Sequence, residues 1–228
     1  MNQRSKLIYE IRDLKKDYGP RTVLQIGHLQ FHPGTIYGIV GAIGSGKTTL
    51  LKIMAGIERQ TSGVLKYDGE EFKTTWLGKV KPIDEIYLAS VETLPESQKL
   101  GQIVAMVHPK KVDKIKGRYF SRGRFREFWD LQLKNLSPGE ASWFKKVLAV
   151  ESDPRVLLID DYGTTMDSAM ERDFRGKLTK MNRDLGTTII LAAPDDHRIK
   201  KFASVIIHLD NGHVAKIRPG VSRSSKRY

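Results

Sequence analysis

Eight residues of this 228-residue chain constrain its fold more than any others: GAIGSGKT, Gly41–Thr48. They match G-x-x-x-x-G-K-[ST] in full, between the apolar run TIYGIVG and the helically spaced run KTTLLKIMAG, which Gly56 closes. Gly44 and Gly46 let successive backbone N–H groups turn inward, where a side chain would block an anion. The following helix brings its positive end to the same spot. Lys47 is long enough to reach the β- and γ-phosphates of a nucleotide, and the Thr48 hydroxyl is a ligand for Mg²⁺.

The rest of the chain supplies the context such a loop needs. LIYEIRDL and TVLQIGHLQF alternate as in an antiparallel edge sheet. GVLKYDGE reads as a strand and turn, and IDEIYLAS as a buried strand. Beyond about residue 91 the strand pattern gives way to charge and aromatics, which predicts an inserted, mostly helical subdomain. After LSPGE come a helix (ASWFKKVLAVES), a strand (VLLID), a helix (SAMERDFRGKLTKMNRDL) and a strand (TTIILAA). A short helix (DHRIKKF), a strand (VIIHL) and a hairpin turning at Asn211-Gly212 complete the pattern. Alternating strands and helices imply a largely parallel sheet with helices on both faces. The expected fold is α/β: a P-loop NTPase core, an N-terminal antiparallel β subdomain and an inserted α-helical subdomain. Residues 1–220 are expected to form one domain, with the helical insertion at about 91–138 and a basic tail at 221–228.

VLLIDDYG, Val156–Gly163, ends an apolar strand in two aspartates. A carboxylate at the carboxyl end of a parallel strand faces the crevice where such sheets bind ligands. Asp160 there can hold Mg²⁺, and Asp161 beside it suggests a base that activates water. Composition narrows the setting. No apolar run approaches the ~18 residues of a membrane span, the N-terminus has no secretory h-region, and cysteine is absent. Disulfides, thiolate metal sites and cysteine nucleophiles are therefore excluded, and a soluble, intracellular protein is expected. The net charge of +13 calls for an anionic partner or a strongly solvated face. Much of it lies in HPKKVDKIKGRYFSRGRFR, His108–Arg126, with eight Lys or Arg against one Asp.

In this order the motifs resemble the nucleotide-binding domain of ATP-binding-cassette (ABC) proteins. The residues that carry the resemblance are GAIGSGKTT, LSPGE (Leu136–Glu140), VLLIDDY, GTTMD ending in Asp167, and the closing IHLDNGHV. LSPGE is similar to the family signature LSGGQ, with Pro138 and Glu140 as departures. The resemblance spans about Leu7 to Ile217. It implies ATP and Mg²⁺ as ligands, with the phosphates cradled by Gly41, Ala42, Gly44, Ser45, Gly46, Lys47, Thr48 and Thr49. It also implies adenine stacked on Tyr18, and Mg²⁺ held by Thr48 and Asp160. Ser137 and the Gly139 backbone would reach the γ-phosphate of a second domain arranged head to tail, so that ATP joins the two and hydrolysis parts them.

Three catalytic positions depart from the family pattern. Asp161 stands where the family has glutamate, shorter by one carbon or about 1.5 Å of reach. Pro194 occupies the place of the switch histidine and offers neither imidazole nor N–H; His197 lies three residues on. The glutamine expected after IDEIYLAS aligns near Ser90, with Gln98 and Gln102 farther along. Together these departures predict a protein that binds ATP well and hydrolyses it slowly, with Asp161 at the catalytic position. The resemblance further implies a homodimer, or a heterodimer with another ABC ATPase subunit, bound to integral membrane transport subunits on the cytoplasmic face. A second class is a non-transport cassette acting as an ATP-gated clamp or regulator on nucleic acid, with Tyr119, Phe120, Phe125 and Phe128 as stacking rings. A third is a scaffold that binds no nucleotide, which the intact GAIGSGKT opposes.

Overall fold

The computed structural model describes residues 7–89, 94–164 and 166–220. Two sheets form around the loop. In the first, β1 (Tyr9–Tyr18) pairs antiparallel with β2 (Arg21–Phe31) on one side and β4 (Ser62–Tyr67) on the other. The two-residue β5 (Glu70–Glu71) extends the far edge, giving the order β2-β1-β4-β5. Alternation along β1 turns Tyr9 and Ile11 inward, and a bulge at Asp13, at φ 47°, returns Leu14 to the same face.

The second sheet holds β3 (Ile36–Val40), β6 (Ile86–Leu88), β7 (Val156–Ile159), β8 (Thr188–Ala193), β9 (Val205–Asp210) and β10 (His213–Pro219). Their order is β10-β9-β3-β8-β7-β6, parallel throughout except for the β9–β10 hairpin. The central strands are continuous apolar runs because both faces are covered. Their pleat divides successive residues between two cores. Tyr37, Ile39, Leu158, Ile190 and Ala192 face the first sheet and the helix α1 (Lys47–Met54). Ile36, Val40, Ile159, Ile189 and Leu191 face the opposite layer, which contains α4 (Pro138–Glu151) and α5 (Ser168–Leu185).

Between β6 and β7 the chain is helical: α2 (Leu100–Val107), α3 (Val112–Tyr119), and 3-10 turns at Pro109–Lys111, Gly123–Asp130 and Leu133–Asn135 precede α4. The aromatic rings of this segment pack inward, against the expectation that they stack on bases. Tyr119 and Phe120 are buried, and Phe125 stacks on Trp143 with centroids 4.2 Å apart. Phe128 packs edge-on to Phe125. A layer of short helices has few aliphatic residues to fill it, and these rings supply its core rather than a stacking platform for bases. Part of the basic run is also engaged internally, through Arg118–Glu151 at 2.5 Å and Lys111–Asp153 at 2.6 Å.

Two further expectations shrink. IDEIYLAS yields only the three residues of β6, half-buried at Ile86 and Tyr87, because this strand edges the sheet and pairs with β7 alone. DHRIKKF yields a single 3-10 turn, Ile199–Lys201. The Asp195 carboxylate accepts the His197 N–H at 2.8 Å and holds that stretch as a turn. No helix among the described residues is long and apolar enough to cross a membrane.

Candidate functional site

The loop after β3 opens to solvent at Ala42, Ile43 and Gly44. Gly46 caps α1 at φ 100°, and a Cβ there would lie 2.6 Å from Leu24 Cδ2, so only glycine fits. The loop is braced from two sides: the Gly41 N–H donates to Ala193 O at 3.3 Å, and the Gly212 N–H donates to Ser45 O at 3.1 Å. Lys47 Nζ folds over the loop, donating to Gly41 O at 2.7 Å, Ala42 O at 2.8 Å and Ser45 Oγ at 3.3 Å. Two carbonyls and a hydroxyl are weak neutral partners for an ammonium, ones that a phosphate would displace.

Asp160 ends β7 with 6% of its surface exposed and meets the Thr48 hydroxyl of the first turn of α1. Burial raises the pKa of its carboxyl, while the Thr48 hydroxyl opposes that rise. Burial likewise lowers the pKa of Lys47, against the attraction of Asp160 and Asp161. A hydroxyl and one carboxylate are hard oxygen donors that suit Mg²⁺ completed by phosphate oxygens and water. Among the described residues no group of three or more His, Cys, Asp or Glu forms an all-protein metal cage. The donor set therefore fits an ion that arrives with a phosphate ligand.

Asp161 turns the chain immediately after Asp160, in the left-handed region at φ 48°, which Asp tolerates better than most residues. Its N–H donates to Asp160 Oδ1 at 3.0 Å, and its carbonyl accepts from Thr164 Oγ1 at 2.8 Å. The backbone is thus fixed while the carboxylate remains exposed. Tyr18, at the end of β1, leaves 46% of its surface exposed; its hydroxyl donates to Glu58 Oε2 and meets Thr49 of α1. Its ring therefore stands beside the loop.

Ser137 and Gly139 lie elsewhere, at the solvent-facing start of α4. Glu140 Oε2 accepts from Ser137 N at 2.9 Å and from Ser137 Oγ at 2.8 Å, and the Glu140 N–H returns a long bond of 3.4 Å to Ser137 Oγ. This is a capping box with Pro138 in the first turn. Asp167 caps α5 with its own carboxylate, accepting from the N–H groups of Ala169 and Met170.

The family model described as ABC transporter matches residues 24–163 of this chain. The chain belongs to the ABC transporter family. It forms the nucleotide-binding domain of that family. The spermidine/putrescine import ATP-binding protein PotA of Haemophilus influenzae is 28% identical over 217 residues, 93% of this chain and 58% of the relative. PotA of Mannheimia succiniciproducens is 28% identical over 92% of this chain and 57% of its own length. The chain thus spans rather more than half the length of each of these two relatives. Among solved structures, a dimeric bacterial ABC transporter cassette superposes with a TM-score of 0.78 at 19% identity, covering 94% of this chain and 99% of that one. CbiO1 from Clostridium perfringens, part of the ABC transporter complex cbiONQ, superposes at 0.73 and 19% identity over 94% of this chain and 89% of that one.

Against the family pattern, Pro194 is exposed at the end of β8 and His197 points to solvent. Arg198 crosses this region instead. Its Nη1 donates to Met166 O at 3.2 Å, and its Cδ lies 2.7 Å from the position a Cβ on Gly163 would take. Gln102 accepts the Lys99 N–H at 3.0 Å and so caps α2, while Gln98 is half-buried and Ser90 lies outside the described residues.

Lys146 of α4 carried no signal in the sequence, yet it is 5% exposed and donates to Ser142 Oγ. Burial pushes its pKa down to about 8, with Asp161 and Asp160 favouring the ammonium. The unfolded side chain titrates near 10.5, so between about 8 and 10.5 the unfolded chain binds more protons and stability rises with pH. Below about pH 8 the buried ammonium lowers stability by its full amount. Lys146→Met is therefore expected to stabilise the cassette at pH 7 by about 2–3 kcal/mol in urea unfolding. It is also expected to abolish the alkaline gain, whereas a destabilised variant would show that the ammonium is compensated.

Proposed function

We propose that this cassette binds MgATP and gates integral membrane transport subunits as the ATP-binding subunit of an importer, hydrolysing ATP slowly. The observation that carries this reading is the convergence of Lys47, Thr48 and Asp160 at the mouth of the Gly41–Thr48 loop. Lys47 would exchange its loop carbonyls for the β- and γ-phosphates, and the N–H groups around Gly44, Ser45 and Gly46 would surround them. Tyr18 would stack on adenine beside Thr49. Bound Mg²⁺ would supply charge neutralisation on the phosphates, with Thr48 and Asp160 as its protein ligands. Asp161 would accept a proton from the attacking water. The exposed Ser137 and the half-buried Gly139 would meet the γ-phosphate of a second cassette, in a homodimer or a heterodimer with a fully equipped partner. Residues 1–220 would constitute the cassette, with the segment at about 91–138 receiving the membrane subunits at the cytoplasmic face and 221–228 as a basic tail.

Import is taken from the relatives, whose names state it. The test is pull-down from native membranes with and without MgATP, beside a Lys47→Ala control. Expected are co-purified hydrophobic subunits whose recovery depends on ATP for the wild type and not for the variant. Recovery of nucleic acid in their place, lost at raised salt, would sink the transport reading.

A further inference from the structure

Between β5 and β6 lies an ordered hairpin with no role in the nucleotide site. Thr74 and Val80 form an antiparallel bridge, the Lys81 N–H donates to Lys73 O at 2.8 Å, and the Thr75 N–H donates to Lys79 O at 2.7 Å. A turn closes the tip, with Gly78 N–H on Thr75 O at 2.9 Å. The base is anchored: Phe72 and Val80 pack over Gly56, at 3.0 and 3.1 Å from where a Cβ would stand. The tip is not. Trp76 is 92% exposed and Leu77 64% exposed, whereas Trp143 is buried and Trp129 packs against the core.

A rigid hairpin that holds an indole and an isobutyl group in water keeps apolar area unburied where a polar tip would serve as well. Its flanks repeat the pattern. Lys73, Lys79 and Lys81 are exposed and form no ion pair among the described residues, and Arg59 Nη1 lies 3.8 Å from the Cβ position of Gly78. Lys73 and Lys81 also face each other across the hairpin, an arrangement that repels. The nearest acids along the chain, Glu71 and Asp84, precede and follow the hairpin.

Two apolar side chains offer far too little area for a stable protein interface, which needs roughly 1,000 Å² or more. A bilayer surface has no such requirement. Indoles settle at headgroup depth, and lipid phosphates relieve repulsion among adjacent cations. We propose that the Trp76–Leu77 tip is a membrane-surface anchor: its apolar pair inserts among the headgroups of an anionic bilayer while Lys73, Lys79, Lys81 and Arg59 face the lipid phosphates. This anchor requires neither nucleotide nor a transport subunit, so it stands apart from the reading above.

The purified chain is tested against phosphatidylcholine vesicles with and without phosphatidylglycerol, by co-sedimentation and by tryptophan emission. Expected are binding to the anionic vesicles alone and a blue shift in emission. In the pair Trp76→Ser with Leu77→Ser the shift vanishes and affinity falls at least about tenfold, while ATP binding reports an intact fold. Lys73→Gln, Lys79→Gln and Lys81→Gln together are expected to weaken binding and flatten its salt dependence. Wild-type chain that ignores anionic vesicles overturns the proposal, including the case where it binds only a solubilised protein partner. Equal sedimentation of the Trp76 and Leu77 variant also overturns it, and assigns lipid contact to another basic segment.

Discussion

Replacing Asp161 with glutamate is expected to raise ATP turnover by about tenfold to 10²-fold if Asp161 is the base proposed above, because a misplacement of about 1 Å in a reacting group costs that much. The backbone at this position is fixed by its bonds to Asp160 Oδ1 and Thr164 Oγ1, so reach is the variable that the substitution changes. No side chain among the described residues grips the Asp161 carboxylate, so lengthening it breaks no existing bond. There is a cost. Glutamate is less at ease than aspartate at φ 48°, which lowers stability by about 1 kcal/mol and appears in unfolding rather than in turnover. Asp161→Asn gives the opposite control, with ATP still bound and turnover reduced further. If the glutamate variant turns over no faster, the reach of Asp161 does not limit turnover, and the role proposed for it as the base fails.

The second large effect concerns association. Glu140→Gln is expected to strengthen ATP-dependent pairing of cassettes by about tenfold or more. In the wild type the first turn of α4 is satisfied by its own carboxylate, which accepts both Ser137 N–H and Ser137 Oγ–H. A γ-phosphate arriving there from a partner meets a like charge and a hydroxyl already spent. Two unit charges about 4 Å apart repel by up to about 4 kcal/mol at an effective dielectric of 20, and solvent at this exposed site reduces that to the order of 1–2 kcal/mol. Glutamine keeps an oxygen acceptor for Ser137 and removes the charge. The loss of an acid at a helix start costs the monomer about 0.3–1 kcal/mol, less than the expected gain. Sedimentation of the two proteins in the Asp161→Asn background with MgATP reads the difference directly. An unchanged dimer constant would mean that the carboxylate swings away when the partner arrives.

The phosphate loop and the parallel sheet were legible because their residue types have few alternatives: glycines at fixed spacing, and apolar runs whose pleat feeds two cores. The helical segment was legible as helix but not as to what its rings touch. Periodicity over eight residues of α3 does not say which side of a short helix is covered, so Tyr119 and Phe120 read as available when they are core. Lys146 has no sequence signal, because only the packing of α4 against the sheet buries it beside the Asp160–Asp161 doublet. Arg198 likewise has no sequence signal, since its partner is a backbone carbonyl at Met166. Glu140 carried one that comparison with LSGGQ obscured: Ser-x-x-Glu is itself a helix-start pattern. Aligned to the family it looks like a replaced glutamine; taken on its own chemistry it is a cap.

The bond from Gly212 to Ser45 bears on how the chain comes to work at all. The phosphate loop leans for its shape on a turn more than 160 residues further along the chain, at Gly212, and a Cβ on Gly41 would strike Leu209 O of β9. During synthesis the loop exists long before its braces do. Contacts so distant along a chain close late in folding, so a partly made chain has the glycines and the lysine but not the shape. Competence to grip a nucleotide is in that sense a signal of sheet closure, acquired when the β9–β10 hairpin joins β3.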